Sequence, residues 1–444
     1  MRARAAERLL PDTALIGLEG VAAARRRLTT RDAVRARHGR LARHQIPWLL
    51  QHSAWTAQRF AEADLPPERW WQLPPVGKRE MMAHFDALNT VGVRLEEVLA
   101  LAHEAEDTRD FTGTLTTAAG EVGVGLSTGT SGARGAFLVD REDRLRWAGT
   151  VLAALLRPFP WSLRTPQRVA FFLRADGTLY RTAASSRVQI DFHDILRPIE
   201  QLAAALTATD PTLVVGPPSV LRAVLEAGAR ARPEKVVSVA EVLEDGTRSV
   251  LEHGFEAPVV QIYQATEGML GLPCAAGELH LAEEHVHVET EPLGGGLVRP
   301  VLTDLRRRAQ PVIRHRLDDV LDLAPDCSCG SATRRIRRII GRQDDALELP
   351  GPGGAQITIW PDFVRGALSD VPGLEEYRVL QTGPAMLRVE TAPSSAPVRA
   401  EVRERIGRAL RRQGVLWDLV TIDEHAWRPA PAGTKLRRVL RTGR

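Results

Sequence analysis

Leu213-Val214-Val215-Gly216-Pro217-Pro218-Ser219-Val220-Leu221-Arg222-Ala223-Val224-Leu225-Glu226 changes its period partway through. Leu213–Val215 is a short continuous apolar run, the kind a strand covered on both faces needs. Gly216 and two prolines break it, and Ser219–Ala229 then spaces its apolar residues by three and four, as a helix does. The switch recurs on either side. The β-rich runs Arg168–Leu173, Lys235–Val239 and Pro258–Ile262 alternate with helical stretches such as Gly246–His253. That alternation predicts an α/β body of three layers around a largely parallel sheet.

Outward from this centre the pattern changes twice. Residues 1–64 read as helical, and the Pro-rich Leu65–Pro75 ends that region just before Lys78. Residues 275–340 carry short alternating runs such as His285–Thr290, with a turn at Gly294-Gly295-Gly296, and predict an antiparallel β subdomain. Residues 345–444 read as a small α+β unit with strands Gln356–Ile359 and Met386–Glu390, one clear helix, Val398–Gln413, and loops at Pro350–Gly354 and Thr391–Pro397.

The chain has 444 residues, 44% hydrophobic and 26% charged, which excludes extensive disorder and predicts two or three domains. No apolar run approaches the length of about 18 residues that a membrane span needs, and the first residues lack the apolar core of a secretory leader. Three cysteines make no disulfide scaffold, so a soluble, cytoplasmic protein with no membrane partner is the expectation. The net charge is only +4. The basic clusters Arg25–Arg43 and Arg334–Arg342 therefore read as solvated helix faces and ion pairs, not as a nucleic-acid surface. Lysine occurs only at Lys78, Lys235 and Lys435, among 59 basic residues.

Chemistry concentrates at Gly125-Leu126-Ser127-Thr128-Gly129-Thr130-Ser131-Gly132-Ala133-Arg134-Gly135. Ser127–Gly135 packs four hydroxyls and three glycines into nine residues, so that backbone N–H groups and small donors can converge on an anion, with Arg134 in reach. Read alone, such a loop is equally a polar surface hairpin. In its context it resembles the phosphate-binding loop of the adenylate-forming enzymes, the acyl-CoA synthetase and luciferase superfamily. Four further segments resemble that superfamily's signatures in the correct order: Tyr263-Gln264-Ala265-Thr266-Glu267, Arg314–Asp319, Gly341-Arg342-Gln343-Asp344-Asp345 and Gly433-Thr434-Lys435-Leu436-Arg437-Arg438. Pro75–Lys78, Gly216–Ser219, Ala240-Glu241 and Cys327–Gly330 resemble one branch, the phenylacetate–CoA ligases and the synthetases that adenylylate a deazaflavin cofactor. Gln264, Arg134 and Glu348 depart from the usual Gly, Lys and Lys.

The resemblance implies an N-terminal domain over 1–343 and a small mobile C-terminal lid over 344–444 that pivots at Asp344 and carries Lys435. It implies ATP and Mg²⁺ as cofactors. Ser127, Thr128, Gly129, Thr130, Ser131, Gly132 and Arg134 would hold the leaving phosphates, and Thr266 the α-phosphate. Glu267 would bind Mg²⁺ and Tyr263 would offer a flat face to adenine, with Ala240, Glu241 and Gln264 beside the nucleotide. Asp319 and Arg342 would hold the ribose. Elementary chemistry agrees. Attack of a carboxylate on a phosphorus builds charge on phosphoryl oxygens, which donors and a metal stabilise, and a compact ammonium reaches one oxygen better than a broad guanidinium.

The expected activity is ATP-dependent adenylation of an aryl or medium acyl acid, followed by transfer to CoA as co-substrate. Transfer to an amine, and an inactive nucleotide-binding relative, remain alternatives, and a homodimer is left open. The acid pocket is expected along the parallel sheet, where Phe171, Phe172, Tyr180 and Phe192 either line it or form core. Cys274, His280, Cys327 and Cys329 use every cysteine in the chain, and three thiolates plus one imidazole would complete a tetrahedral structural Zn²⁺ site. The alternatives are reduced cysteines without metal or a catalytic thiol.

Overall fold

The computed structural model describes residues 10–126, 135–342, 345–368, 371–428 and 437–442. The chain forms two compact units. One comprises Met1–Pro292, Pro300–Leu317 and Leu323–Arg337, the other Leu293–Arg299, Asp318–Asp322 and Arg338–Arg444.

The first unit opens with helices Asp12–Arg25, Arg31–His52 and Ala54–Glu62. The second of these starts where the Thr30 side chain accepts from Ala33 N at 3.1 Å. Strands β1 (Thr114–Thr117), β2 (Gly120–Leu126) and β3 (Ala136–Val139) then make an antiparallel meander. Its inner residues Val122, Ala136 and Leu138 pack with Phe85, Val98 and Ala309.

The expected parallel sheet is present. β4 (Gln167–Leu173), β5 (Val188–Asp194), β6 (Leu213–Gly216), β7 (Lys235–Ser238) and β8 (Val259–Gln261) run parallel in the order β5-β4-β6-β7-β8. All four residues of β6 are buried, as a strand covered on both faces requires. Alternate residues face opposite layers. Ala170, Phe172, Val214, Val236 and Val259 pack on Leu206, Leu221 and Phe255 of the helices that link the strands. Phe171, Val215, Val237 and Val260 face helix Arg141–Leu155 through Leu145, Ala148 and Leu152. Truncating a ring such as Phe172, which is 0% exposed, to Ala would cost about 3–5 kcal/mol. Helix Asp12–Arg25 presses on the outer side of helix Arg141–Leu155. A Cβ on Gly149 would lie 2.6 Å from Ile16 O, so only glycine permits this approach.

Strand β9 (Tyr263–Ala265), β10 (Gly268–Pro273) and β11 (Leu279–Leu281) form the antiparallel region's first hairpins. β12 (Val286–Gly294), β13 (Leu297–Asp304), β14 (His315–Arg316), β15 (Asp319–Ala324) and β16 (Arg335–Arg342) complete it. Arg335–Arg342 is thus a strand and not the helix face expected of that arginine cluster. Its charges go to ion pairs with Glu278, Asp322 and Asp319.

In the second unit β17 (Leu347–Pro350) and β18 (Gln356–Ile359) form a hairpin. A four-stranded sheet has the order β21-β20-β19-β22, from β19 (Glu376–Gly383), β20 (Met386–Ala392), β21 (Thr421–Ala426) and β22 (Val439–Arg441). Helix Ala396–Arg412 covers it through Val402, Ile406 and Leu410. A second helix, Pro361–Leu368, was not expected from the sequence, and the loop before Ala396 is shorter than expected because β20 continues through Ala392.

Candidate active site and metal centre

β9 and β10 pair with Ala265 opposite Gly268, so Thr266 and Glu267 are the two residues at the tip of a hairpin. The chain enters this hairpin directly from β8, past the C-terminal end of the parallel sheet, where open α/β sheets place ligands. Gly268 leaves the turn at φ +140°, a conformation that favours glycine. Glu267 is only 7% exposed. Burial alone would raise its carboxyl. His315 Nε2, 3.5 Å from Oε1, and a hydrogen bond from the Thr266 side chain outweigh that and pull it down to about 2. An ionised carboxylate in a nearly dry site is the donor set a hard divalent cation selects. Its neighbour His315 is 1% exposed.

The turn is also anchored from below. Arg307 donates through Nη1 to Thr266 O at 2.9 Å and through Nη2 to Leu138 O at 3.0 Å. Gln310 holds the same strand, donating to Ala136 O at 3.1 Å and accepting from Leu138 N at 3.0 Å. The sequence reading missed Arg307. It sits in the run Arg306-Arg307-Arg308, where nothing local sets it apart.

Tyr263 is 6% exposed in β9, with Gly271 as its cross-strand partner. Gln264, which replaces the usual glycine, accepts from Trp147 Nε1 at 3.0 Å. Trp147 in turn meets Tyr180 edge-on with centroids 5.5 Å apart, and Tyr180 lies 4.9 Å from Phe171. Burial pushes the Tyr180 hydroxyl up to about 12. Phe172, expected as a pocket candidate, faces the opposite layer and stacks on His193 at 4.7 Å. Side-chain alternation along β4 decides this, because adjacent residues cannot share a face. Ala240 follows β7 at φ +68°, and the Glu241 carboxylate accepts from Ser219 N at 3.3 Å at the start of helix Pro218–Glu226. Of the lysines, Lys235 donates to Leu155 O at 2.7 Å at the end of a helix.

In the second unit Arg342 Nε lies 3.6 Å from Asp319 Oδ1, so the two residues expected at the ribose are brought together. Ser127, Thr128, Gly129, Thr130, Ser131, Gly132, Arg134, Asp344 and Lys435 lie outside the described residues.

The four metal-ligand candidates converge. The ligand atoms of Cys274, His280, Cys327 and Cys329 all lie within 4.8 Å of one another. Cys274 Sγ and Cys327 Sγ are 3.7 Å apart, and Cys329 Sγ is 3.6 Å from His280 Nε2. With Zn–S bonds of about 2.3 Å, a tetrahedron's edge is close to these spans. His280 Nδ1 donates to Thr333 O at 2.8 Å, which leaves Nε2 as the lone-pair atom facing the thiols. Ala276 N and Ser331 N donate to Cys274 and Cys329 sulfurs at 3.3 and 3.4 Å. The fit to a closed N/S site is good.

No family model matches the chain. It is 28% identical over 244 residues to the phenylacetate-coenzyme A ligase of Thermus thermophilus, a match covering 47% of this chain and 53% of that protein. The match thus spans about half the relative's length. Among solved structures, 2-hydroxyisobutyryl-CoA ligase in its postadenylation state superposes with a TM-score of 0.68 at 19% identity, covering 93% of this chain and 90% of that one. An acyl acid amido synthetase superposes with a TM-score of 0.57 at 10% identity, covering 88% of each chain. The resemblance read from the ordered motifs is therefore borne out: over about half its length the chain is similar to a phenylacetate–CoA ligase, and its fold is shared with an acyl-CoA ligase.

Proposed function

We propose that this chain is an adenylate-forming ligase that activates a carboxylic acid with ATP and passes the acyl group to CoA. The observation that carries the reading is the buried, ionised Glu267 at a turn beyond the parallel sheet, inside an ordered set of five motifs. The name of the relative matched over about half its length, phenylacetate-coenzyme A ligase, supports it. A substrate carboxylate oxygen bonds to the α-phosphorus, the bond to the bridging oxygen breaks, and pyrophosphate leaves. The thiol of CoA then bonds to the acyl carbon, AMP leaves, and the thiol proton passes to solvent.

In this reading Ser127, Thr128, Thr130 and Ser131, with Gly129, Gly132 and Arg134, receive the leaving phosphates, and Thr266 donates to the α-phosphate. Glu267 holds Mg²⁺, which when bound neutralises phosphate charge. Tyr263, Gln264, Ala240 and Glu241 border the adenine, and Asp319 and Arg342 hold the ribose. Lys435, on a lid of residues 344–444, contacts the reacting oxygens. Cys274, His280, Cys327 and Cys329 hold a structural Zn²⁺. The grouping of Trp147, Phe171 and Tyr180 supports an aryl acid.

ATP–pyrophosphate exchange against aryl, amino-aryl and aliphatic acids tests the reading, with aryl acids expected to exchange best. Protein that binds ATP yet exchanges with no acid would overturn it. Adding CoA or an amine to the exchanging acid shows which acceptor takes the acyl group.

A further inference from the structure

The anchor beneath Glu267 has a consequence for catalysis. Arg307 is 5% exposed, and the hydrogen bonds of its guanidinium go to two backbone carbonyls and the Gln310 amide oxygen. The Asp143 carboxylate attracts this buried charge, yet the hydrogen bonds of the guanidinium go to neutral acceptors, so its fork fixes backbone and not an ion pair. Its two carbonyls belong to segments far apart in sequence. Thr266 is the turn residue beside Glu267, and Leu138 lies in β3, the strand that begins just after residues 127–134. One rigid, planar fork therefore ties the turn to that strand. A lysine, with a single ammonium, cannot reproduce the fork.

We propose that Arg307 is a positioning residue for adenylation: by clamping Thr266 O and Leu138 O it sets where the Glu267 carboxylate stands relative to the strand after the phosphate loop. This rests on the reading of Glu267 as the magnesium ligand. A carboxylate displaced by an ångström still binds cation, but in the wrong place for the α-phosphate, and such a displacement costs about 10²-fold in rate. The affinity for the acid, which Arg307 does not touch, is left alone.

The experiment measures pyrophosphate exchange against Mg²⁺ concentration for wild type, Arg307→Met and Arg307→Lys, using the best acid of the panel above. Arg307→Met should lower kcat about 10²-fold and raise the half-saturating Mg²⁺ concentration about tenfold, with KM for the acid within about threefold of wild type. Arg307→Lys should recover only part of the loss. Added guanidinium ion should restore exchange to Arg307→Met and do nothing for wild type. Asn89→Ala serves as the structural control. The Asn89 carboxamide is buried, and its six hydrogen bonds all stay within residues 85–93, the helix Phe85–Leu88 and the turn after it. It should lower the melting temperature without moving the Mg²⁺ dependence.

If Arg307→Met keeps its kcat and its Mg²⁺ dependence, or loses activity only in step with melting temperature as Asn89→Ala does, the positioning role is wrong. If Glu267→Gln itself exchanges normally, the magnesium reading fails, independently of Arg307.

Discussion

Strand β10 has a group of ligand-type side chains at each end. At its start stands Glu267, 7% exposed, 3.5 Å from His315. Just beyond its other end Cys274 joins His280, Cys327 and Cys329, with all ligand atoms within 4.8 Å. The carboxylate carries its compensation in the protein, since His315 and Thr266 stabilise its charge before any cation arrives. The backbone amides of Ala276 and Ser331 reach two of the sulfurs, yet burial still pushes the Cys329 thiol up to about 11. A thiol of raised pKa beside other thiols gains most from a cation that displaces its proton. In the proposed reading the carboxylate end would serve chemistry, whereas the thiol end would draw fold stability from a bound metal.

The largest expected effect falls on the thiol end. Purified protein should carry about one zinc per chain, and Cys327→Ser should lose it along with several kcal/mol of stability. A melting temperature lower by about 10 °C or more should follow in calorimetry. Metal-free wild type that melts unchanged would erase the contrast between the two ends.

Glu267→Gln should do the opposite. The isosteric amide opens no cavity but gives up the charge that His315 stabilises, so exchange should fall ~10²–10³-fold while melting falls less than in Cys327→Ser. A large loss of stability with modest loss of exchange would reverse the assignment of the two ends.

Acid should sharpen the distinction. In strand β12 and the residue before it, burial pushes His285 down to about 3 and His287 to about 4, from 6.5. Both imidazoles are neutral in the fold, whereas the unfolded chain takes up protons below pH 6.5. Their contribution to stability is thus complete above pH 6.5 and is lost as pH falls toward 3–4, by up to a few kcal/mol. Wild type should lose melting temperature across that window more steeply than His285→Gln. Parallel curves would show that His285 is not buried neutral.

The smallest effect is expected at the edge of the thiol cluster. Thr333→Val removes the hydroxyl 3.0 Å from His280 Nδ1 but leaves the carbonyl acceptor. Zinc affinity, read by competition with a chromogenic chelator, should drop about tenfold. An unchanged affinity would mean the carbonyl alone orients the imidazole.

Much of this was legible in the residues themselves. The switch of period after Leu213–Val215 and its recurrence up to Ile262 announced the parallel sheet, because strand and helix periods are local properties. The motifs from Tyr263 to Arg342, and the pairing of Cys274 and His280 with Cys327 and Cys329, were visible because type and spacing carry the chemistry. What the sequence left open was contact across distance. It offered Phe171 and Phe172 alike as pocket walls, and only the sheet's two faces separated them. It gave Gln264 no partner until helix Arg141–Leu155 brought Trp147 to it. It could not single out Arg307, whose partner Leu138 lies 169 positions away. Such pairings are set by strand register and layer stacking, which sum many weak burial terms over the whole chain, so only the tertiary structure decides them.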